Sequence, residues 1–244
     1  MTQTAILEIR AGTGGDEAGL FASELYRMYT RFSQKNGWAV RELDQTYGGI
    51  GNLKSVVAEI SGEEVYSVLK NESGVHRVQR VPKTERGGRI HTSTATVAVL
   101  PNVSSKEVEI NPNDLKFDTF RSSGHGGQNV QKVETAVRIT HLPTGLAVAC
   151  QDERSQAQNR EKALEVLRSK IYQMMREQQK SSVDQLRREQ VGSAERSEKI
   201  RTWNFPQDRI TDHRFGATVG NLEAVLEGNL DSLLKKIASK QPAE

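Results

Sequence analysis

Cysteine is almost absent from this sequence, and its scarcity excludes two kinds of stabilised domain. Cys150 is the single cysteine, so the chain can form no intrachain disulfide and no zinc site built from several cysteines. We expect Cys150 to be a small buried hydrophobe on a strand. A reducing interior is the natural compartment for such a chain.

Long apolar runs and several catalytic motifs are also missing. No stretch approaches the length of a membrane-spanning helix, and the N-terminus lacks the apolar segment of a signal peptide. No spacing of His, Cys, Asp and Glu suggests a metal site. There is no P-loop, no Gly-x-Ser-x-Gly elbow and no dinucleotide fingerprint, although Gly12-Thr-Gly-Gly15 follows a strand and opens a helix. The sequence therefore predicts no metal, no cofactor and no membrane association.

Charge is plentiful but uneven. The chain has a net charge of +3, with 27% charged and 35% hydrophobic residues. Residues 1–110 hold 13 basic and 13 acidic residues, whereas residues 121–201 hold 15 basic and 10 acidic ones. This local excess favours a phosphate backbone nearby without requiring one.

The first part of the chain has the pattern of an α+β unit. Apolar residues recur at helical spacing at Phe21, Leu25, Met28 and Phe32, and acidic residues stand at the start of this helix. This pattern predicts one helix packed on a mostly antiparallel sheet. The predicted strands are 5–10, 38–43, 55–61, 94–100 and 107–110.

A second, smaller unit follows the turn residues Asn111-Pro112-Asn113. Two β runs, Ala136–Leu142 and Leu146–Gln151, flank a hairpin turn. One long helix over 155–190 should bury Leu164, Leu167, Ile171 and Met174. We expect residues 191–204 to be a polar return segment, with residues 208–216 and a helix over 222–237 closing the chain.

The glycine pair Gly126-Gly127 with Gln128 stands in a loop, residues 121–130, that has no ordinary catalytic acid, base or nucleophile except His125. Two glycines let the backbone reach positive φ and approach a ligand closely. A glutamine adds an amide side chain and a backbone N–H, which suit a carbonyl or phosphate better than proton abstraction. By itself the loop is equally consistent with a polar surface turn.

A second loop, His76–Ser93, is rich in basic and hydrogen-bonding side chains. Its arginines and lysine suit phosphates, while histidine, threonine and glutamine can stack on or bond to bases. Pro82 stiffens one side of the loop. A solvated basic hairpin is the alternative.

These segments, in this order, resemble the bacterial-type class I peptide chain release factors that read UAA and UAG. The likeness is carried by Arg10–Ala18, His76–Ser93, Arg121–Val130 and Arg138–Gly145. It implies an α+β fold in which a codon-reading superdomain is built from residues 1–110 and a C-terminal segment, 204–244. A small α/β domain, 111–203, with a short sheet and one long helix, would be inserted between them.

By this resemblance, Pro82-Lys83-Thr84 matches the family's codon-reading tripeptide. Thr84 would bond to the first two bases of the stop codon. Gly14 and Glu17, at a helix N-terminus, would fix the first uridine.

The same resemblance assigns the rest of the codon. His91 would stack between the second and third bases, and Gln79 and Thr92 would read the third base. Threonine and glutamine can each donate or accept, so tolerance of A or G at the third base is chemically reasonable.

The resemblance makes Gly126, Gly127 and Gln128 the release residues. They would enter the peptidyl transferase centre, where the backbone N–H of Gln128 stabilises developing charge during hydrolysis of peptidyl-tRNA. The chain would be no stand-alone enzyme, because ribosomal RNA completes its site, and it would need no cofactor. His125 is interpreted as a spacer or RNA contact.

The implied partners are the ribosome at its decoding and peptidyl transferase centres, the mRNA stop codon, peptidyl-tRNA and a glutamine methyltransferase that modifies Gln128. The implied location is the cytoplasm, with an organellar origin left open. The family's N-terminal helical domain of about one hundred residues is missing, as in a truncated piece or a naturally short protein. Contact with the recycling GTPase is therefore doubtful.

A second departure is Gln131, where the family more often has asparagine. Two alternatives stay open. One is a factor that rescues stalled or damaged ribosomes, and the other is an RNA-binding module without release activity.

Overall fold

Eleven strands form two sheets in the computed structural model, which describes residues 2–48, 52–82, 87–102, 110–121, 133–192 and 196–240. The larger sheet has the order β11-β10-β9-β4-β5-β1-β3-β2 and the smaller one β6-β7-β8. The strands are β1 (Thr2–Ala11), β2 (Ala39–Tyr47), β3 (Leu53–Glu63), β4 (Gly74–Arg80), β5 (His91–Pro101), β6 (Leu115–Phe120), β7 (Ala136–His141), β8 (Ala147–Cys150), β9 (Lys199–Asn204), β10 (Arg209–Asp212) and β11 (Ala217–Gly220).

Five α-helices accompany the strands within the described residues, and the chain divides into two units. The first unit is Met1–Val103 with Val183–Glu244, and the second is Ser104–Ser182. The helices are α1 (Asp16–Lys35), α2 (Val65–Leu69), α3 (Gln156–Val191), α4 (Leu222–Leu226) and α5 (Asp231–Ala238). None of the helices in the described residues is both long and apolar enough to cross a membrane.

Helix α1 covers one face of the large sheet, as its apolar spacing predicts. Phe21, Leu25, Met28 and Phe32 are all buried against β1, β3 and β5. Every strand pairing in this sheet is antiparallel except that of β4 with β9. The predicted helix on a mostly antiparallel sheet is therefore confirmed. Of the predicted strand 107–110, residues 107–109 lie outside the described residues.

Two segments that the sequence presents as irregular are strands of this sheet. Residues 76–80, which we expected to belong to a loop, form most of β4, and part of the expected return segment 191–204 forms β9. Both expectations were wrong because His76 and Arg201 are polar residues that lie fully buried in the sheet. Strand β6 and helix α2 were not predicted at all.

The expected helix over 222–237 is two helices, α4 and α5, in the structure. The chain breaks at Gly228, whose φ is +95°. A Cβ at Gly228 would lie 2.8 Å from the Cβ of Arg31 and 3.0 Å from the backbone nitrogen of Phe32 in α1. Close approach of the backbone to α1 therefore explains the break.

The second unit packs the three-stranded sheet against the first half of α3. Val137, Ile139 and Val148 form its core together with Leu167 and Ile171. Cys150 is 7% exposed on β8, so the prediction of a buried strand residue is confirmed.

The buried stripe of α3 differs from the predicted one. Leu164 and Met174 are only partly buried, and fully covered positions occur at 159, 163, 167 and 171. The first of these is polar. Asn159 donates to the carbonyls of Thr135 and Glu153 and accepts from the backbone of Glu153. These bonds tie the start of α3 to the chain before β7.

The predicted functional domains 1–110, 111–203 and 204–244 do not coincide with the structural units. Strand β9 pairs with β4 in the large sheet, and residues 183–203 group with the first unit. The functional division stays a prediction.

The parallel pairing of β4 with β9 encloses a group of buried charges, which we call the ionic cluster (Glu72, Arg201 and Asp212). The guanidinium of Arg201 donates to both carboxylate oxygens of Glu72 and to Asp212 at 3.1 Å. All three side chains are fully buried. Burial alone would raise the pKa of Glu72, but Arg201 lowers it below its ordinary value.

His76 completes this region as a neutral side chain. Burial, aided by Arg201, lowers its pKa to about 4. The indole N–H of Trp203 donates to Nδ1 of His76 at 3.2 Å, so the ring proton stands on Nε2 and is donated to the carbonyl of Glu72. His76 and the cluster together therefore link β4 to β9, to β10 and to the turn at residues 70–72.

Replacing Arg201 should destabilise the first unit strongly. In Arg201→Leu we expect a loss of about 3–5 kcal/mol in the free energy of unfolding, because Glu72 stays buried without its cation. Urea unfolding followed by tryptophan fluorescence measures it, since Trp38 and Trp203 both lie in this unit. Arg209→Leu, at an exposed position on β10, is the matched control and should change stability by less than about 0.5 kcal/mol. Equal losses in the two variants would contradict a stabilising role for the cluster.

Candidate nucleic-acid interface

The structure describes only some of the residues that are predicted for RNA recognition. The release residues Gly126, Gly127 and Gln128, and the loop residues Lys83 and Thr84, lie outside the described residues. The other six predicted residues belong to the first unit. They are Gly14, Glu17, Gln79, Pro82, His91 and Thr92.

Gln79 and Thr92 lie directly opposite each other on β4 and β5. Opposed residues in an antiparallel pair point to the same face of a sheet. Both side chains are partly exposed. The backbone carbonyl of Gln79 also accepts a hydrogen bond from Phe205 at 3.1 Å. The structure thus brings the two predicted readers of the third base together.

The same strand pairing places the residues at the base of the loop that connects β4 to β5. Arg80 faces His91 across the strands, Pro82 is buried and His91 is exposed. Val81 and Ile90 expose 43% and 58% of their surfaces. Neither side chain was expected at the site, although an apolar residue on either side of a basic loop is a usable signal.

The turn before α1 is hydrogen-bonded to β5. The backbone of Gly12 donates to the carbonyl of Thr94, and that of Thr13 donates to the Thr94 hydroxyl, both at 2.8 Å. The Thr94 backbone in turn donates to Thr13 at 2.8 Å. These bonds place Gly14 against Ser93, the residue after Thr92. The predicted contacts for the first and third bases therefore share one region of the first unit.

Glu17 is buried in the first turn of α1, with 5% exposure. Its Oε1 accepts a hydrogen bond of 2.5 Å from Nε of Arg80. Its Oε2 is buried and has no hydrogen-bond partner among the described residues. Glu17 thus keeps one carboxylate oxygen that is not bonded to this part of the chain.

Arg80 is a positioning residue that sequence analysis did not find. Besides Glu17 it binds Glu24 at 2.6 Å, and its guanidinium lies 4.8 Å from the ring centroid of Phe205. Burial would lower the pKa of Arg80, but the two carboxylates raise it above its ordinary value. We expected the arginines of this segment to contact phosphates, and that expectation is wrong for Arg80. The alternation of His76, Val78 and Arg80 along β4 is the signal that could have indicated its burial.

No metal site accompanies these residues in the described parts of the chain. No group of three His, Cys, Asp or Glu side chains there is arranged to hold an ion. The chemistry that this region offers is hydrogen bonding by amide, hydroxyl and carboxylate groups. Such groups suit the edges of bases.

The chain is similar to known proteins over nearly its whole length. A profile for the PCRF domain matches residues 2–97, and one for the RF-1 domain matches residues 103–214. The chain is 57% identical over 242 residues to peptide chain release factor 1 of Thermoanaerobacter pseudethanolicus, which covers 99% of this chain and 68% of the relative. The protein of the same description from Chlorobaculum tepidum is 58% identical over 245 residues, covering 100% and 68%.

Among solved structures, the chain is similar to RF2 of Thermus thermophilus. The TM-score is 0.58 with 38% sequence identity, and the alignment covers 98% of this chain and 69% of the other. The two proteins therefore share their fold over the aligned length.

Two adjacent glycines test how tightly the turn before α1 is held. Gly14 has a φ of +133°, and a Cβ there would lie 2.5 Å from the Cβ of Ser93. Gly15 has a φ of +60° with nothing within 4 Å of such a Cβ. Gly15→Ala should cost about 1–3 kcal/mol in backbone strain, because the ψ of Gly15 is −133° at this φ, a combination that side-chain-bearing residues rarely adopt. Gly14→Ala should add a packing clash of about 1–3 kcal/mol.

Urea unfolding of both variants measures the difference. Equal losses would contradict the close contact between Gly14 and Ser93. A larger loss in Gly15→Ala would contradict it as well.

Proposed function

Because this chain belongs to the class I peptide chain release factors of the release factor 1 type, and so acts in translation termination on the ribosome, we propose that it reads UAA and UAG. We further propose that it triggers hydrolysis of the ester that joins the nascent peptide to tRNA. The main support for the codon-reading part of this proposal is that the Gly14 turn, Glu17 and the Gln79–Thr92 pair lie in one region of the first unit.

The chemistry of this region supports recognition of a uridine followed by purines. Glu17 has one carboxylate oxygen without a partner among the described residues, and the N-terminus of α1 adds backbone N–H donors. At the other end, Gln79 and Thr92 can each donate or accept, which accommodates A or G at the third base. Pro82, Lys83, Thr84 and His91 complete the proposed set, with Thr84 at the first two bases and His91 stacked between the second and third.

The release half is proposed from Gly126, Gly127 and Gln128. An amide is a poor base, so Gln128 does not deprotonate water. Its backbone N–H would stabilise the oxyanion or the leaving 3′ hydroxyl, and the two glycines would allow the backbone to aim it. Ribosomal RNA would complete the active site, so the chain is not a stand-alone enzyme on this proposal.

The proposed division of labour follows the sequence segments 1–110 and 204–244 for codon reading and 111–203 for release. The proposed partners are the stop codon, peptidyl-tRNA and the RNA of the two ribosomal centres, with a methyltransferase acting on Gln128. Contact with a recycling GTPase is not part of the proposal. The proposed location is the cytoplasm.

Codon dependence is the first test. Release of formyl-methionine from ribosomes programmed with UAA, UAG, UGA or a sense codon is measured with the chain as it stands. We expect release on UAA and UAG only. Release without a codon would indicate a rescue factor, and binding without release would indicate an RNA-binding module. Either result would overturn the proposal.

The release loop is tested by Gly127→Ala and Gln128→Ala. Gly127→Ala should reduce the release rate by at least about 100-fold, because the donor is no longer aimed. Gln128→Ala should retain part of the rate, since its backbone N–H survives. Binding of both variants to stop-codon ribosomes is the control and should match the unchanged chain. Full release by Gly127→Ala would contradict the assigned role.

A further inference from the structure

The face of the large sheet that lies opposite α1 carries a basic group that the proposed function does not use. Along β4, His76, Val78 and Arg80 are buried toward α1, so Arg77 and Gln79 point to the opposite face. Thr202 of β9 is paired with Arg77 and therefore shares that face. His213 follows β10, and its backbone donates to the carbonyl of Ile200 at 2.8 Å.

The side chains of Arg77, Thr202 and His213 form a connected chain of hydrogen bonds. Nε of Arg77 donates to the hydroxyl of Thr202 at 3.2 Å, and that hydroxyl lies 2.7 Å from Nε2 of His213. With the hydroxyl proton directed at Nε2, a neutral His213 carries its own proton on Nδ1. The group thus offers two guanidinium nitrogens and one imidazole N–H as further donors.

Arg77 is half-buried and has no carboxylate partner in the described parts of the chain. Burial lowers its pKa, and no acidic group opposes this shift. Arg80, Arg187, Arg201 and Arg214, by contrast, each form an ion pair with a carboxylate. An unpaired, partly desolvated guanidinium is costly unless an anion neutralises it.

The neighbouring charges are also mostly positive. Burial, Lys199 and Arg77 lower the pKa of His213, and only Asp212 opposes them. Asp212 is itself bound to Arg201 and Arg214. The region therefore favours an added negative charge.

The position of this group indicates the class of anion. Gln79 lies two residues beyond Arg77 on the same strand face, a separation of about 7 Å. Gln79 is paired with Thr92 on β5 and with Asn204 on β9. A nucleotide whose base contacts Gln79 and Thr92 has its backbone within reach of a long arginine side chain, and Arg is well suited to phosphate oxygens.

We propose that Arg77, Thr202 and His213 form an RNA phosphate-binding site beside Gln79 and Thr92. This inference rests on the proposed reading of the stop codon by the same sheet face. The phosphate belongs either to the mRNA at or after the third codon position or to ribosomal RNA. In both cases the contact contributes affinity without base specificity.

Arg77→Gln removes the charge and tests the site. The dissociation constant of the Arg77→Gln variant for ribosomes programmed with UAA and with UAG is measured at several salt concentrations. We expect about 10-fold weaker binding on both codons, and a plot of log affinity against log salt that is shallower by about one unit. Arg41→Gln, on the exposed edge strand β2, is the matched control and should bind like the unchanged chain.

Neutral methylphosphonate linkages, placed singly in the mRNA, distinguish the two sources. If the phosphate is in the mRNA, one linkage weakens binding by the unchanged chain, and Arg77→Gln then adds no further loss. If it is in ribosomal RNA, Arg77→Gln loses the same affinity on every mRNA. Both results support the site.

Two further variants protect the test against misfolding. Arg77→Lys keeps the charge and should retain most of the salt dependence, and His213→Gln should weaken binding by about 3-fold. Thermal unfolding of each variant shows that the fold is intact. If Arg77→Gln fails to fold, the salt dependence of Arg77→Lys and the affinity of His213→Gln test the site instead.

The site is overturned if folded Arg77→Gln binds with the affinity and salt dependence of Arg41→Gln. It is also overturned if Arg77→Lys loses as much salt dependence as Arg77→Gln. Failure of the proposed function gives a different result, because the unchanged chain would then show no preference for UAA and UAG. Loss of the Arg77 site alone leaves that preference intact.

Discussion

The salt bridge between Arg201 and Glu72 is the interaction on which the rest of the first unit depends. It joins β9, from the C-terminal part of the chain, to the segment that leads into β4, and all of its polar atoms are removed from water. A buried ion pair contributes little net stability, but removing one partner is expensive. We infer that the pair acts mainly to exclude other registers, since a slip of β9 along β4 would separate Arg201 from the buried Glu72.

That fixed register gives β4 two different faces. His76, Val78 and Arg80 point inward, where Arg80 holds Glu17 at the start of α1. Arg77 and Gln79 point outward, beside Thr202 and Thr92. A shift of one residue would exchange the two sets of side chains. Support of the first turn of α1 and presentation of the proposed reading residues thus depend on the same strand register.

Local sequence patterns predicted the elements whose apolar residues recur with the usual helix or strand periodicity. The apolar stripe of α1 and the hairpin of β7 and β8 are examples. Strands β4 and β9 were missed because their buried residues include His76, Arg80 and Arg201, each of which has a hydrogen-bond partner distant in the sequence. Glu17 could be assigned to codon contact by resemblance, but its bond to Arg80, 63 residues away, depends on the tertiary fold. The release residues Gly126, Gly127 and Gln128 lie outside the described residues and stay a prediction.

The two arginines of β4 that flank Gln79 differ in one physical respect. Arg80 is neutralised by Glu17 and Glu24, so its position is determined by the protein alone. Arg77 bonds only to the neutral hydroxyl of Thr202 among the described residues, which leaves its charge uncompensated. Natural proteins violate local rules of this kind at functional sites, where a ligand can supply the missing charge partner. On this argument, the inward arginine sets the geometry of the proposed reading surface, and the outward one would give the proposed RNA binding its dependence on salt.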